Sequence, residues 1–177
     1  EDPTPSLDGM AALGKHTKLP LATNMVVTTF DDFKRSVALG AVQVVLSDHH
    51  YWGGLRATQH LARLCELYGL GISMHSNSHL GISLVAMTHV AACVPNLGYA
   101  CDTHTPWQEE EVIAGGRVPI TGGAVSVPRT PGLGVTLDRN ALARLHQQYL
   151  ECGIRTRNDL AQMRKIDPHF SGKQPRF

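Results

Sequence analysis

Five polar residues recur along the chain at a nearly constant interval, each closing a short run. Glu1, Asn24, Asp48, His75 and His104 are separated by 23, 24, 27 and 29 residues. Ahead of the last four lie Leu19 to Thr23, Val42 to Ser47, Gly71 to Met74 and Tyr99 to Asp102. These are short, largely apolar segments bounded by Gly, Pro or polar residues, the signature of buried strands. Helical patterns fill the intervals: Phe30 to Leu39 opens on Asp31 and Asp32, Leu55 to Tyr68 stops at Gly69, and Leu80 to Cys93 ends before Pro95. Strands alternating with helices predict parallel βαβ units and an α/β fold. A (β/α)8 barrel spends about 31 residues per unit and builds its site from the C-terminal strand ends, which this ladder of polar residues matches. A doubly wound open sheet has similar spacing but calls for a glycine-rich phosphate turn, and the sequence holds no Gly-x-Gly-x-x-Gly.

Only four to five such units fit, and Glu1 stands where the last residue of a strand is expected, so the chain reads as the later part of a barrel whose first strands lie elsewhere. Barrel sequence is expected over 1–153. Within it, the acidic run Glu109 to Glu111 reads as a solvated flap, glycine pairs at 115–116 and 122–123 suggest a hairpin excursion over about 115–128, and an amphipathic helix is expected at about 137–152. Residues 154–177 read as a basic, irregular tail.

A formal charge of +1 gives no general attraction to nucleic acid or to an anionic membrane, so any anion must be gripped locally. The most apolar stretch, 82–94, is shorter than the roughly 20 residues that span a bilayer. Four cysteines without a Cys-x-x-Cys pair read as reduced, buried thiols, and with no signal peptide visible the cytoplasm is the default compartment.

Ten histidines are present, most densely in His75-Ser76-Asn77-Ser78-His79. Asp48 and His75 lie one unit apart, on adjacent strand ends. An aspartate on one imidazole nitrogen fixes the tautomer and leaves the other free to take a proton, so the pair reads as a general base with its orienting carboxylate. Such a base supplies about 10²–10⁴-fold, too little to form an ene-diolate unaided. Glu1 and Asn24 add two hard oxygen donors suited to Mg2+. They could equally cap turns. His79 reads as a polar helix-start residue rather than a ligand, His104 as a residue that could satisfy a loop carbonyl, and Arg157 as a surface charge. The other histidines read as structural or exposed, with His49 and His50 adjacent to Asp48.

Seven collinear strings decide among these readings: Glu1-Asp2-Pro3, Leu21 to Met25, Ser47-Asp48, His75 to His79, Asp102-Thr103-His104, Val127-Pro128 with Pro131 to Val135, and Arg157-Asn158-Asp159. In order and spacing they resemble the glucarate dehydratases of the enolase superfamily, over nearly the whole chain. The resemblance implies the C-terminal part of an enolase-type modified (β/α)8 barrel, with the capping domain and first strands outside this sequence and the tail packing back on the barrel mouth or capping domain. It implies Mg2+ on Glu1 and Asn24, proton abstraction by His75 with Asp48, and a substrate held by Asn24, His75, Ser76, Asn77, His104 and Arg157. The implied reaction is dehydration of a hexaric acid, D-glucarate and also L-idarate, to a keto-deoxy-glucarate by a homo-oligomeric enzyme. The family's lysine base and third, acidic ligand are not in this sequence, so this chain alone is expected to be inactive. The alternatives are dehydration or epimerisation of another sugar acid, a divalent-metal barrel hydrolase using His75, His79 and His104, and a catalytically silent relative.

Overall fold

Three short apolar runs align side by side as parallel strands: β1 (Ala22–Thr23), β2 (Val44–Ser47) and β3 (Gly71–Met74), in the order β1-β2-β3. Ala22 sits opposite Val44, Val45 opposite Ile72 and Ser47 opposite Met74. Parallel neighbours in chain order need crossovers, which α2 (Phe30–Leu39) and α3 (Leu55–Leu67) supply. The computed structural model describes residues 1–172 and divides into two compact units, Glu1–Asp138 and Arg139–Phe177.

Local chemistry explains where these helices start and stop. Thr29 and Asp32 form a reciprocal capping box at the start of α2, and Gly40 ends that helix with φ +61°, a conformation that costs glycine nothing. α1 (Leu7–Gly14), which lies outside the expected elements, is capped by Ser6, whose hydroxyl accepts from Gly9 N at 3.1 Å. It packs on α2, as α3 packs on α4 (Gly81–Ala92). The shared core contains Met10, Val27, Leu61, Ile72 and Leu84, all buried.

The fourth strand expected at Tyr99 to Asp102 does not form a ladder. That segment follows β3 through isolated contacts: Leu97 bridges Ile72, the Ser73 hydroxyl lies 3.1 and 2.9 Å from the Tyr99 and Ala100 carbonyls, and Asp102 N donates to Met74 O at 3.1 Å. The hairpin expected at 115–128 is reduced to one antiparallel bridge, Thr121 to Ala124. Of the thiols, Cys65 is buried but Cys93 and Cys152 are exposed, which corrects the expectation of four buried cysteines.

Glu111 departs most from its expected role. Instead of lying in a solvated flap, its carboxylate accepts from Gly81 N at 2.8 and 2.9 Å and so caps the positive end of α4. α4 is largely apolar, with Leu84, Val85, Met87 and Val90 buried and Ile82 exposed.

In the second unit, α5 (Arg139–Cys152) has no buried residue among its apolar stripe. The tail expected to be irregular instead forms α6 (Asp159–Ile166), with Asn158 accepting from Ala161 N at 2.9 Å, Asp159 in the first turn and Arg164 and Lys165 in the last. Residues 173–177 of that tail lie outside the described residues. No helix among the described residues is long and apolar enough to cross a membrane.

A Cβ on Gly81 would stand 2.5 Å from Ile113 Cδ1 and 2.9 Å from the Glu111 carboxylate. Gly81→Ala is therefore expected to destabilise the protein by about 1–3 kcal/mol, as overpacking does. Denaturant unfolding measures it; a midpoint unchanged or raised would show that Ile113 and Glu111 do not hold the α4 start as described.

Candidate active site

β2 runs directly into Asp48 and β3 into His75, and the two ends are tied where His75 N donates to Ser47 O at 3.0 Å. Asp48 is 1% exposed and is the hub of the site. Its Oδ1 accepts from the His50 backbone at 2.9 Å and lies 2.8 Å from His50 Nδ1. Its Oδ2 accepts from Asn77 Nδ2 at 3.2 Å and lies 3.5 Å from His79 Nε2 and 3.7 Å from His75 Nδ1. Burial alone would raise the proton affinity of this carboxyl. The imidazoles of His75, His79 and His50 and the His50 backbone N–H outweigh burial and hold it well below the ordinary carboxylate range.

Sequence spacing puts Asp48 and His75 where they can form a hydrogen bond. At 3.7 Å the two do not form one, and His75 Nδ1 is a buried nitrogen without a hydrogen-bond partner. His50 lies on one carboxylate oxygen and Asn77 donates to the other. The attraction of Asp48 nevertheless raises the proton affinity of His75, against the opposing effect of burial and with help from Asp102 and Glu1. Asp102 places Oδ2 4.0 Å from His75 Nε2 and accepts from Ser76 N through Oδ1. It went unassigned in the sequence because a carboxylate at the end of an expected strand resembles any loop acid.

His79 stands at the helix start as expected, but it is buried. It is 5% exposed, precedes α4, and leaves both ring nitrogens without a hydrogen-bond partner. His49 stacks beside His50 with ring centroids 4.1 Å apart. Burial, reinforced by repulsion from His50 and His79, lowers its pKa to about 4, so it is neutral at pH 7.

Asp2, a residue with no assigned role, ties the backbone that follows Glu1 to the end of β1 at Asn24. Its N–H donates to Ala22 O at 2.9 Å, and its carboxylate accepts from Thr23 Oγ1, from Asn24 N at 2.9 Å and from Met25 N at 3.1 Å. Asp2 is also the non-glycine residue with positive φ among those described, at +39°. Strain of that kind persists only where surrounding contacts over-determine it. Asn24 is 6% exposed, Glu1 is exposed, and the field of Glu1 reaches His75. A carboxylate and a carboxamide are oxygen donors that fit Mg2+ in type, with further ligands required to complete an octahedron.

Ser76 is fully buried and its Oγ accepts from His104 N at 3.2 Å. Asn77 also donates to Tyr51 Oη at 2.8 Å. His104 precedes a 3-10 turn, Thr105–Trp107, and its ring packs 5.6 Å from Trp107. Arg157 belongs to the second unit, where its Nε donates to Asp159 Oδ1 at 2.6 Å. The His75, His79 and His104 set considered for a hydrolase is not the one that converges. Among the described residues, the grouped donors are Asp48, His50 and His79, all within 4.8 Å of one another.

Comparison with known proteins gives a consistent picture. Residues 1–141 match the family described as Enolase C-terminal domain-like. A probable glucarate dehydratase from Streptomyces coelicolor is 56% identical over 172 residues, covering 96% of this chain and 40% of that protein. A D-xylonate dehydratase from Haloferax volcanii is 31% identical over 80% of this chain and 35% of its own length. An enolase from Pseudomonas fluorescens, solved with bound magnesium, potassium and tartrate, superposes with a TM-score of 0.92 at 65% identity, covering 99% of this chain and 42% of that one. The chain thus spans about 40% of the length of these relatives.

The role of Asp2 can be tested apart from any chemistry. Asp2→Ala removes the acceptor of the Asn24 and Met25 amides, so hydrogen exchange at those two amides should accelerate while exchange in β3 is unchanged. Protection that persists at both would show that Asp2 does not hold this strand end.

Proposed function

Because the chain belongs to the Enolase C-terminal domain-like family, we propose that it forms part of an acid-sugar dehydratase, in which His75 and Asp48 serve α-proton abstraction from a hexaric acid such as D-glucarate. The observation that carries this reading is a buried, ionised Asp48 facing a buried His75 whose Nδ1 has no other partner. A base of that kind must be neutral when substrate arrives and stabilised when it becomes imidazolium, which Asp48 on one side and Asp102 on the other provide.

Glu1 and Asn24, set by Asp2, would hold Mg2+, with the remaining ligands supplied from outside this chain. When bound, the ion supplies Lewis-acid stabilisation of the negative charge that develops on the substrate carboxylate. His75 takes the α-proton through Nε2, and the C–H electron pair passes into the carboxylate. The pair then returns to form the carbon–carbon double bond as the β-hydroxyl leaves. The proton held on His75 goes to that hydroxyl, so one water departs and the enol product tautomerises to a keto-deoxy-glucarate.

Asn24, Asn77, Ser76 and His104 would contact substrate hydroxyls and carboxylates. Arg157 would grip a carboxylate bidentately, as only a guanidinium fork can. A second reading, dehydration of a different sugar acid, is favoured by the 31% identity to a D-xylonate dehydratase. Substrate profiling of the full-length enzyme separates the two.

His75→Asn in the full-length protein should cut the exchange of the substrate α-proton into D2O by about 10²–10⁴-fold while circular dichroism stays unchanged. Exchange at the wild-type rate would remove His75 from the reaction.

A further inference from the structure

The dyad accounts for Asp48 and His75 but leaves a second set of donors around the same carboxylate. His50 Nδ1 lies 2.8 Å from Asp48 Oδ1, and His79 Nε2 lies 3.5 Å from Oδ2. His79 is buried with both ring nitrogens unpartnered, an arrangement that costs free energy unless something pairs with them. On its far side, His50 Nε2 lies 3.1 Å from Ser83 Oγ.

We propose that Asp48, His50 and His79 form a binding site for a borderline-soft divalent cation of the Zn2+ type, distinct from the Glu1–Asn24 donors and inhibitory toward the proposed reaction. Three facts point there. The donor set, one carboxylate oxygen and two imidazole nitrogens, is that of zinc sites with three protein ligands and an open fourth position. It is a poor set for Mg2+, which selects oxygen. With the cation on His50 Nδ1, the ring proton sits on Nε2 and is donated to Ser83 Oγ, the outer hydrogen bond that metal-bound histidines characteristically make. The His50 ring is 47% exposed, so the site is open to solvent on that side.

Occupancy would draw Asp48 away from His75 and leave the base without its counter-charge. That inhibitory consequence rests on the role proposed above for Asp48, whereas binding itself does not.

The test uses the full-length protein in saturating Mg2+, with Zn2+ as the probe in calorimetric titration and with turnover followed in parallel. One Zn2+ should bind per chain without displacing the activating Mg2+, and turnover should fall and be restored by a chelator. His50→Ala, at a half-exposed ring that spares the core, and His79→Ala should each weaken Zn2+ by more than about 100-fold. Ser83→Ala should weaken it by about tenfold, the range for outer hydrogen-bond partners. Equal Zn2+ affinity in wild type and His50→Ala, or complete displacement by millimolar Mg2+, would overturn the site. Binding lost in the variants but without inhibition in wild type supports the site and counts instead against the catalytic role of Asp48.

Discussion

A buried negative charge organises this molecule. Asp48, at the end of β2 and 1% exposed, could not remain ionised in that position without donors on every side. The backbone N–H and ring of His50 and the carboxamide of Asn77 supply them, and the rings of His79 and His75 lie 3.5 and 3.7 Å away. The parallel sheet makes this possible. Adjacent strands in parallel register present their ends on one side, so residues 27 apart in sequence become neighbours. The register of β2 on β3 thereby sets the position of the base.

His50 and Asn77 share the Asp48 carboxylate with His75. With His50 and Asn77 on the carboxylate oxygens, His75 is attracted through 3.7 Å instead of bonded, and its ring keeps both nitrogens available. Around the strand ends the same logic recurs. Asp102 accepts from Ser76 N while facing His75 Nε2, and Asp2 holds Thr23, Asn24 and Met25 beside Glu1. Asp2 and Asp102 thus hold neighbouring backbone at the strand ends where the site residues stand.

Much of this was legible in the sequence, and the reasons differ by residue. β2, β3 and α2 to α4 follow from apolar period and from turn and cap residues, signals that act within a few positions. Asp48 and His75 follow from their place in the strand-end ladder. The convergence of His50 and His79 was not legible, because it depends on the turn after Asp48 folding its own histidine back and on the path taken before α4. Asp2 was hidden for a similar reason: its three acceptor contacts lie 21 to 23 residues away, and no local pattern marks them. At 99–102 the Ser73 hydroxyl lies against the Tyr99 and Ala100 carbonyls, a side-chain contact that no strand pattern marks.

Titration of the His75 ring by NMR in wild type and Asp48→Asn measures directly whether the Asp48 charge sets the proton affinity of His75. His75 should titrate above the ordinary value near 6.5 in wild type and move down once the charge is removed, with the neutral ring then persisting to lower pH. A His75 that titrates at the same pH in both proteins would contradict that dependence.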